Sequence, residues 1–258
     1  MPAAALTPPP SLRPQDALFL DVDGTLLELA PTPVAVRVDS EVAALLPALH
    51  GALRGACALV TGRALSDLDR IFPGLALPAA GQHGCERRDA QGALHLHAQD
   101  RATLARLREL FSAFAGRHDG LLLEDKGSTL ALHYRMAPQL AAYVHRALKE
   151  AVDGLPDAAL CLQPGKQLVE IRPEHRDKGA AIRDFMQELP FVARRPVFVG
   201  DDHGDEQGFA VVQRLGGYGV KVGAGRTRAL HRLPDVAAVR HWLSTLVVAE
   251  ASRADDGR

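Results

Sequence analysis

Asparagine is absent from all 258 residues, which removes every acceptor for N-linked glycosylation. Cysteine occurs only at Cys57, Cys85 and Cys161. An odd number of widely separated thiols with no CxxC excludes a disulfide framework and a thiolate zinc site, and leaves small buried hydrophobes in a reducing compartment. Charge of one sign is also missing: 30 basic side chains face 31 acidic ones, so there is no global footprint for nucleic acid or anionic lipid. No apolar run approaches the ~20 residues that span a bilayer, and the N-terminus lacks the basic segment and apolar core of a secretory signal. These absences predict a cytoplasmic protein with no nucleic-acid and no membrane partner. No GxxxxGK[ST] phosphate loop occurs, and Gly223-Ala224-Gly225 lacks the third glycine of a dinucleotide fingerprint, so it reads as a turn. The 11 histidines show no ligand spacing.

What is present is organised around Ala17-Leu18-Phe19-Leu20-Asp21-Val22-Asp23-Gly24-Thr25. A continuous apolar run describes a parallel strand covered on both faces. In open α/β sheets the binding crevice lies outside the carboxyl ends of such strands, where Asp21 falls. Asp21 and Asp23 are two apart in an extended segment and point the same way. Gly24 then lets the backbone turn. The same plan recurs where Cys57-Ala58-Leu59-Val60 leads to Thr61-Gly62-Arg63, and where Pro196-Val197-Phe198-Val199 leads to Gly200-Asp201-Asp202. Asp177-Lys178-Gly179 opens a helix between the two.

From about Gly81 to Arg172 the texture is different. A hairpin across Asp89-Ala90-Gln91-Gly92, two amphipathic helices and further strand pairs read as an antiparallel sheet covered on one face. The predicted fold class is therefore α/β, a doubly wound Rossmann-like parallel-sheet core with an inserted α+β cap domain. The core is assigned to residues 16–82 and 174–258 and the cap to 83–173. Residues 1–15, rich in Pro and Ala, predict a flexible arm. Pro47 threatens the continuity of a helix carrying Val42, Leu45, Leu46 and Leu49. The last helix is expected to end near Ala249, with fraying past Ser252.

Paired acids by themselves are most often solvated loop residues or helix caps. Their recurrence at strand ends assembles the parts of phosphoryl transfer. One carboxylate can act as nucleophile and a second as general acid and base. A hydroxyl at Thr61 and an ammonium at Lys178 can bind phosphoryl oxygens. Mg²⁺, a hard cation, lets a carboxylate approach an anionic phosphate. In the insert, His133 and Arg135 share one strand face opposite Leu130, Leu132 and Tyr134, while Glu170 and Arg172 alternate with Val169 and Ile171. That polar face is either a solvated surface or one that binds a sugar.

In order, Asp21-Val22-Asp23-Gly24-Thr25, Thr61, Lys178 and Gly200-Asp201-Asp202 resemble the four motifs of the haloacid dehalogenase-like hydrolases. Gly81-Gln82-His83-Gly84, Glu124-Asp125-Lys126, His133-Tyr134-Arg135, Gly165-Lys166 and Glu170-Ile171-Arg172-Pro173 resemble the trehalose-6-phosphate phosphatases within that superfamily. The likeness covers roughly residues 16–245. It implies Asp21 as nucleophile, Asp23 as general acid/base, and Thr61 and Lys178 as phosphate ligands. Thr25, Gly62, Arg63 and His83 join the substrate-binding set. Mg²⁺ is implied on Asp21, the backbone carbonyl of Asp23, Asp201 and Asp202, with Asp205 an alternative to Asp202 that could instead cap a helix. Glu124, Lys126 and Glu170 are implied for sugar hydroxyls, with His133, Arg135 and Lys166 behind them.

The implied activity is Mg²⁺-dependent hydrolysis of trehalose 6-phosphate through an aspartyl-phosphate, in a monomer whose cap closure gates turnover. Another capped sugar phosphatase, a hexose phosphomutase and a non-catalytic sugar-phosphate sensor are the alternatives. The chain departs from the family pattern at Val22, often an aromatic, at Thr61, often Ser, and at His203-Gly204, usually a Val-Thr pair.

Overall fold

The computed structural model describes residues 7–29, 36–97, 101–165 and 167–256. The chain divides into two compact units, Met1–His95 together with Asp177–Arg258, and Leu96–Arg176. The first unit opens with β1 (Asp16–Leu20), α1 (Ser40–Ala52), β2 (Cys57–Val60), α2 (Leu65–Ile71), β3 (Ala79–Gly81), β4 (Glu86–Arg88) and β5 (Leu94–Leu96). The second unit holds α3 (Arg101–Ala115), β6 (Leu122–Asp125), β7 (Leu130–His133), α4 (Ala141–Asp153), β8 (Leu160–Gly165) and β9 (Leu168–Pro173). The first unit resumes with α5 (Lys178–Phe185), β10 (Arg195–Gly200), α6 (Glu206–Arg214), β11 (Tyr218–Val222), β12 (His231–Leu233) and α7 (Val236–Asp256).

The larger sheet runs β12-β11-β10-β1-β2-β3-β4-β5, so β1 lies inside it between β10 and β2. Both neighbours are parallel to it. Every β1 residue is buried, and the two faces feed different cores. Leu18 and Leu20 pack with Leu46 and Leu49 of α1 and Leu243 of α7. Ala17 and Phe19 pack with Ile182 and Phe185 of α5 and Phe209 of α6. Phe19 lies 5.4 Å from the Phe191 ring and 5.9 Å from that of Phe185. Burial of such side chains contributes roughly 1.5–3 kcal/mol each, which holds the strand and the acids at its end in place.

Pro47 sits inside an unbroken α1, capped by the Asp39 carboxylate accepting from Val42 N at 3.0 Å. Burial of Val42, Leu45, Leu46 and Leu49 on one face outweighs the missing N–H. The expected flexible arm is corrected for residues 7–15. Thr7 bridges to His231, Leu12 is buried in the core and Trp242 Nε1 donates to Pro10 O at 3.0 Å. Residues 1–6 of that arm lie outside the described residues. The last helix likewise runs beyond Ala249 to Asp256.

The hairpin expected to begin the cap belongs to the core sheet. β4 pairs antiparallel with β3, Ala79 opposite Arg88 and Gly81 opposite Glu86. The Glu86 carboxylate accepts from Leu65 N at 2.6 Å, and Arg87 pairs with Glu188 while lying 4.9 Å over the Phe185 ring. These contacts shift the start of the second unit from residue 83 to Leu96 and its end from 173 to Arg176. That unit is an antiparallel sheet ordered β6-β7-β9-β8. Leu130, Leu132, Val169 and Ile171 pack with Leu107 and Phe111 of α3 and Val144 and Leu148 of α4.

Candidate active site

The acids meet at the carboxyl end of the large sheet. Asp21 N donates to Val199 O at 3.0 Å, so the residue still belongs to the sheet ladder when its side chain emerges. The chain then folds tightly, with Leu26 N donating to Val22 O at 2.9 Å and Gly24 N to Leu27 O at 2.7 Å. Gly24 has φ +82°, and a Cβ there would stand 2.3 Å from Asp201 Oδ2. A Cβ on Gly200 would stand 2.3 Å from Asp205 Cγ. Both glycines therefore admit carboxylates into space that any side chain would fill. Lys178 enters from the start of α5, which Asp177 caps by accepting from Ala180 N at 2.6 Å. Its Nζ donates to Asp21 Oδ1 at 2.8 Å and to Asp205 Oδ1 at 2.6 Å.

Asp21, Asp201 and Asp205 each bring a carboxylate oxygen within 4.8 Å of the others. Of the two alternatives Asp202 and Asp205, it is Asp205 whose carboxylate joins this trio. Asp202 starts a 3₁₀ turn over His203–Asp205, which folds Asp205 back so that its Oδ2 accepts from Asp202 N at 2.9 Å. Burial, followed by the charges of Asp202 and Asp201, pushes the Asp21 carboxyl up to about 7 against the pull of Lys178. Burial and the neighbouring Asp205 and Asp202 push Asp201 up to about 6. Asp205 is raised well above the carboxylate range by burial. Burial pulls Lys178 down, but the charges of Asp205 and Asp21 outweigh it and hold the ammonium well above its ordinary value. Two ammoniums, Lys178 and Lys221, face the four carboxylates of Asp21, Asp201, Asp202 and Asp205, so the cluster is short of positive charge, and the donors are all hard oxygens. Such a set fits a divalent cation of the Mg²⁺ type.

Asp23 takes a different environment. Arg63 donates to it through Nε to Oδ2 at 2.5 Å and through Nη2 to Oδ1 at 2.6 Å. Arg63, expected among the substrate-binding residues, directs its guanidinium at Asp23. Thr25 is fully buried beside Asp21, with Oγ1 3.5 Å from Asp21 Oδ2. Thr61 is buried and its Oγ1 accepts from Arg63 N at 3.2 Å. A Cβ on Gly62 would stand 2.8 Å from His83 Nε2, which places that imidazole against the loop. Gln82 and His83 are both left-handed, φ 47° and 55°. Their amides donate to Arg63 O at 2.8 Å and to Thr61 O at 3.0 Å. Strain of this kind costs about 1–3 kcal/mol per residue and persists where surrounding contacts over-determine it.

One residue was left open by the sequence reading and another escaped it. Asp205 was weighed as an alternative to Asp202 or as a cap, and only the 3₁₀ turn brings it to Lys178. Lys221 is buried in β11 and donates to the backbone carbonyls of Asp201 and Val222. A lone lysine in an otherwise apolar buried strand was its legible signal.

In the second unit, Glu124 stands opposite Ala131, and Ala131 opposite Glu170, so both acids lie on the face away from the helices. Glu170 is buried, accepts from Thr129 Oγ1 at 2.6 Å and pairs with Lys126 at 3.3 Å. Glu124 contacts His133 at 2.8 Å, a hydrogen bond that holds its carboxyl below the usual range despite partial burial. Arg135 does not share the strand face with His133: β7 ends at His133, and Arg135 is exposed in the following turn. Lys166 lies outside the described residues.

A sequence profile of the trehalose-phosphatase family matches residues 19–234. The trehalose-6-phosphate phosphatase of Escherichia coli (strain K12) is 43% identical over 257 residues, 97% of this chain and 96% of that one. A probable trehalose-phosphate phosphatase of Sinorhizobium fredii is 42% identical over 235 residues, 90% of this chain and 88% of that one. Among solved structures, the C-terminal domain of the C. albicans trehalose-6-phosphate phosphatase superposes with TM-score 0.76 at 21% identity, covering 95% of this chain and 99% of that one. The Aspergillus fumigatus trehalose-6-phosphate phosphatase gives TM-score 0.64 at 26% identity, covering 90% and 93%.

Proposed function

The chain belongs to the trehalose-phosphatase family, and from that premise we propose that it hydrolyses trehalose 6-phosphate to trehalose and inorganic phosphate. The observation that carries this reading is Asp21, buried at the end of β1, with Lys178 Nζ at 2.8 Å and the carboxylates of Asp201 and Asp205 beside it. An Asp21 oxygen attacks phosphorus, the bond from phosphorus to the sugar oxygen breaks, and the departing electron pair on that oxygen takes a proton from Asp23. Asp23 next takes a proton from water as the water oxygen attacks the aspartyl-phosphate. The acyl-phosphate P–O bond then breaks, Asp21 is restored and phosphate leaves. Lys178 binds phosphoryl oxygen and stabilises charge as it develops. The Thr61 hydroxyl binds phosphoryl oxygen alongside Lys178, and its Oγ1 also accepts from Arg63 N.

Asp21, Asp201 and the backbone carbonyl of Asp23 hold Mg²⁺ in this reading, with Asp205 supporting them. The ion supplies positive charge that offsets repulsion between the nucleophile and a phosphate dianion. Glu124, Lys126 and Glu170 are assigned to the sugar hydroxyls, each exchanging a contact within its own sheet for one to the ligand. Cysteine usage points to a reducing compartment such as the cytoplasm; among the described residues no helix is long and apolar enough to cross a membrane.

Phosphate release from a panel of sugar phosphates in Mg²⁺ tests the reading. Trehalose 6-phosphate should be the preferred substrate, and hydrolysis no faster than that of glucose 6-phosphate would overturn the substrate assignment. An isomerised sugar phosphate without phosphate release would point to a mutase.

A further inference from the structure

We infer that Arg63 is a positioning residue that fixes the carboxylate of Asp23 for both of its proton transfers. The inference rests on the proposed phosphatase chemistry, in which Asp23 serves first the sugar oxygen and then water. A group with two such duties must be held in one orientation, because a general acid works only within hydrogen-bond reach of the atom it protonates. Asp23 is the more exposed partner, its side chain 29% accessible against 8% for Arg63. A short side chain at the mouth of a site, left to itself, would sample several rotamers.

Arg63 is built to prevent this. Its guanidinium meets both carboxylate oxygens, Nε on Oδ2 at 2.5 Å and Nη2 on Oδ1 at 2.6 Å. A two-point fork sets the plane of the carboxylate as well as its distance. The backbone of Arg63 is anchored on both sides. Its N–H donates to Thr61 Oγ1 at 3.2 Å, and its carbonyl accepts from Gln82 N at 2.8 Å. A Cβ on Gly81 would stand 2.7 Å from that carbonyl, so the strap bearing the left-handed Gln82 and His83 presses directly on the residue. The strained Gln82-His83 turn thereby serves the loop of Thr61, and Arg63 carries that order to Asp23. The same arrangement ties the phosphate-binding hydroxyl to the proton donor through one residue.

Leaving-group chemistry separates this role from phosphate binding. p-Nitrophenolate departs without help from an acid, whereas a sugar alkoxide does not. In rapid-mixing experiments with p-nitrophenyl phosphate, Arg63→Met should keep a one-equivalent burst of nitrophenolate, because attack by Asp21 needs no proton from Asp23. The following steady state should be about a hundredfold slower, since water attack does need Asp23. With trehalose 6-phosphate the first step should itself slow about a hundredfold with little change in KM. Asp23→Asn should show the same pattern more strongly. Arg63→Lys should fall between, as one ammonium replaces the two-point fork, and added guanidinium ion should restore part of the Arg63→Ala rate.

A burst that disappears together with a raised KM for both substrates would make Arg63 a phosphate ligand and overturn the assignment. Equal slowing of burst and steady state would do so too, by marking a general structural loss. Should Arg63→Met fail to fold, Arg63→Lys against the two leaving groups decides the question. Failure of the wild-type enzyme to release phosphate from any sugar phosphate would strike the functional reading itself. A persisting burst with slow turnover in Arg63→Met would still support the link to Asp23.

Discussion

The acids of the two units live under opposite electrostatic conditions. At the end of the large sheet, Asp21, Asp201 and Asp205 crowd around one Lys178, and the pKa values of all three are pushed up. On the polar face of the second unit each acid has its own partner, Glu124 with His133 and Glu170 with Lys126 and Thr129, and Glu124 is pushed down. The first cluster is unfinished without added positive charge. The second is satisfied by its own sheet, so a ligand there must displace contacts that already exist. In the proposed function, the first group would do chemistry on any phosphate ester and the second would select among esters.

The sharpest break of that comparison is Asp21→Asn. Turnover should fall by on the order of 10⁴-fold or more, with no phosphoenzyme detectable after acid quench, while far-UV circular dichroism is unchanged. Substantial residual turnover would remove Asp21 from the nucleophile role. Next comes Asp205→Asn, which should weaken Mg²⁺ binding, read by titration calorimetry, about 10- to 100-fold. Asp202→Asn should weaken it less, and the reverse order would return the metal site to Asp202.

Mg²⁺ itself should stabilise the first unit. At a hundredfold excess over its dissociation constant a ligand adds roughly 2.7 kcal/mol, about 5–10 °C in Tm for a chain of this size. The pH dependence follows from the direction of the shifts. Asp21 and Asp201 are raised from 3.8 to about 7 and about 6, so the native state holds their protons more tightly than the unfolded chain does. Their ionisation therefore costs native stability as pH rises from about 4 to 7 in metal-free buffer. The Tm increment from Mg²⁺ should grow over that same window, and a flat increment from pH 5 to 8 would contradict the unfinished-cluster picture. Glu124→Ala should leave the increment unchanged.

The smallest effects belong to the second unit. Glu124→Ala or Glu170→Ala should slow hydrolysis of the disaccharide phosphate by tenfold or more, an order-of-magnitude expectation for buried polar recognition groups, and should spare p-nitrophenyl phosphate. Equal losses on both substrates would deny a role in sugar recognition. Glu170→Ala also strands Lys126 and the Thr129 hydroxyl, and should cost about 1–3 kcal/mol in urea unfolding.

Much of the core was legible in the chain because its signals are local. Continuous apolar runs at Leu18, Leu59 and Val197 mark strands buried on both faces, and the residue that follows such a run must lie at the sheet edge where ligands bind. Asp21, Thr61 and Asp201 needed nothing more. The hairpin at Glu86–Arg88 was read correctly as a hairpin and placed in the wrong unit. Strand pairing with β3 and the ion pair from Arg87 to Glu188 are long-range facts that local pattern does not carry. The proline-rich arm misled for a similar reason. Composition reported its lack of periodicity, but Leu12 and the Trp242 bond to Pro10 anchor it.

The amino-acid order alone decided that two carboxylates, a hydroxyl and a second acidic pair would stand at the ends of parallel strands and a lysine at the start of a helix, since residue period and burial dictate which positions reach the edge. Only the tertiary structure decided how they are shared out. A single 3₁₀ turn gives Lys178 to Asp205 instead of Asp202, and Arg63 is turned to Asp23 by a strap that begins at Gly81. Those choices depend on distances between segments far apart in the chain, set by how the loops pack once the sheet has formed.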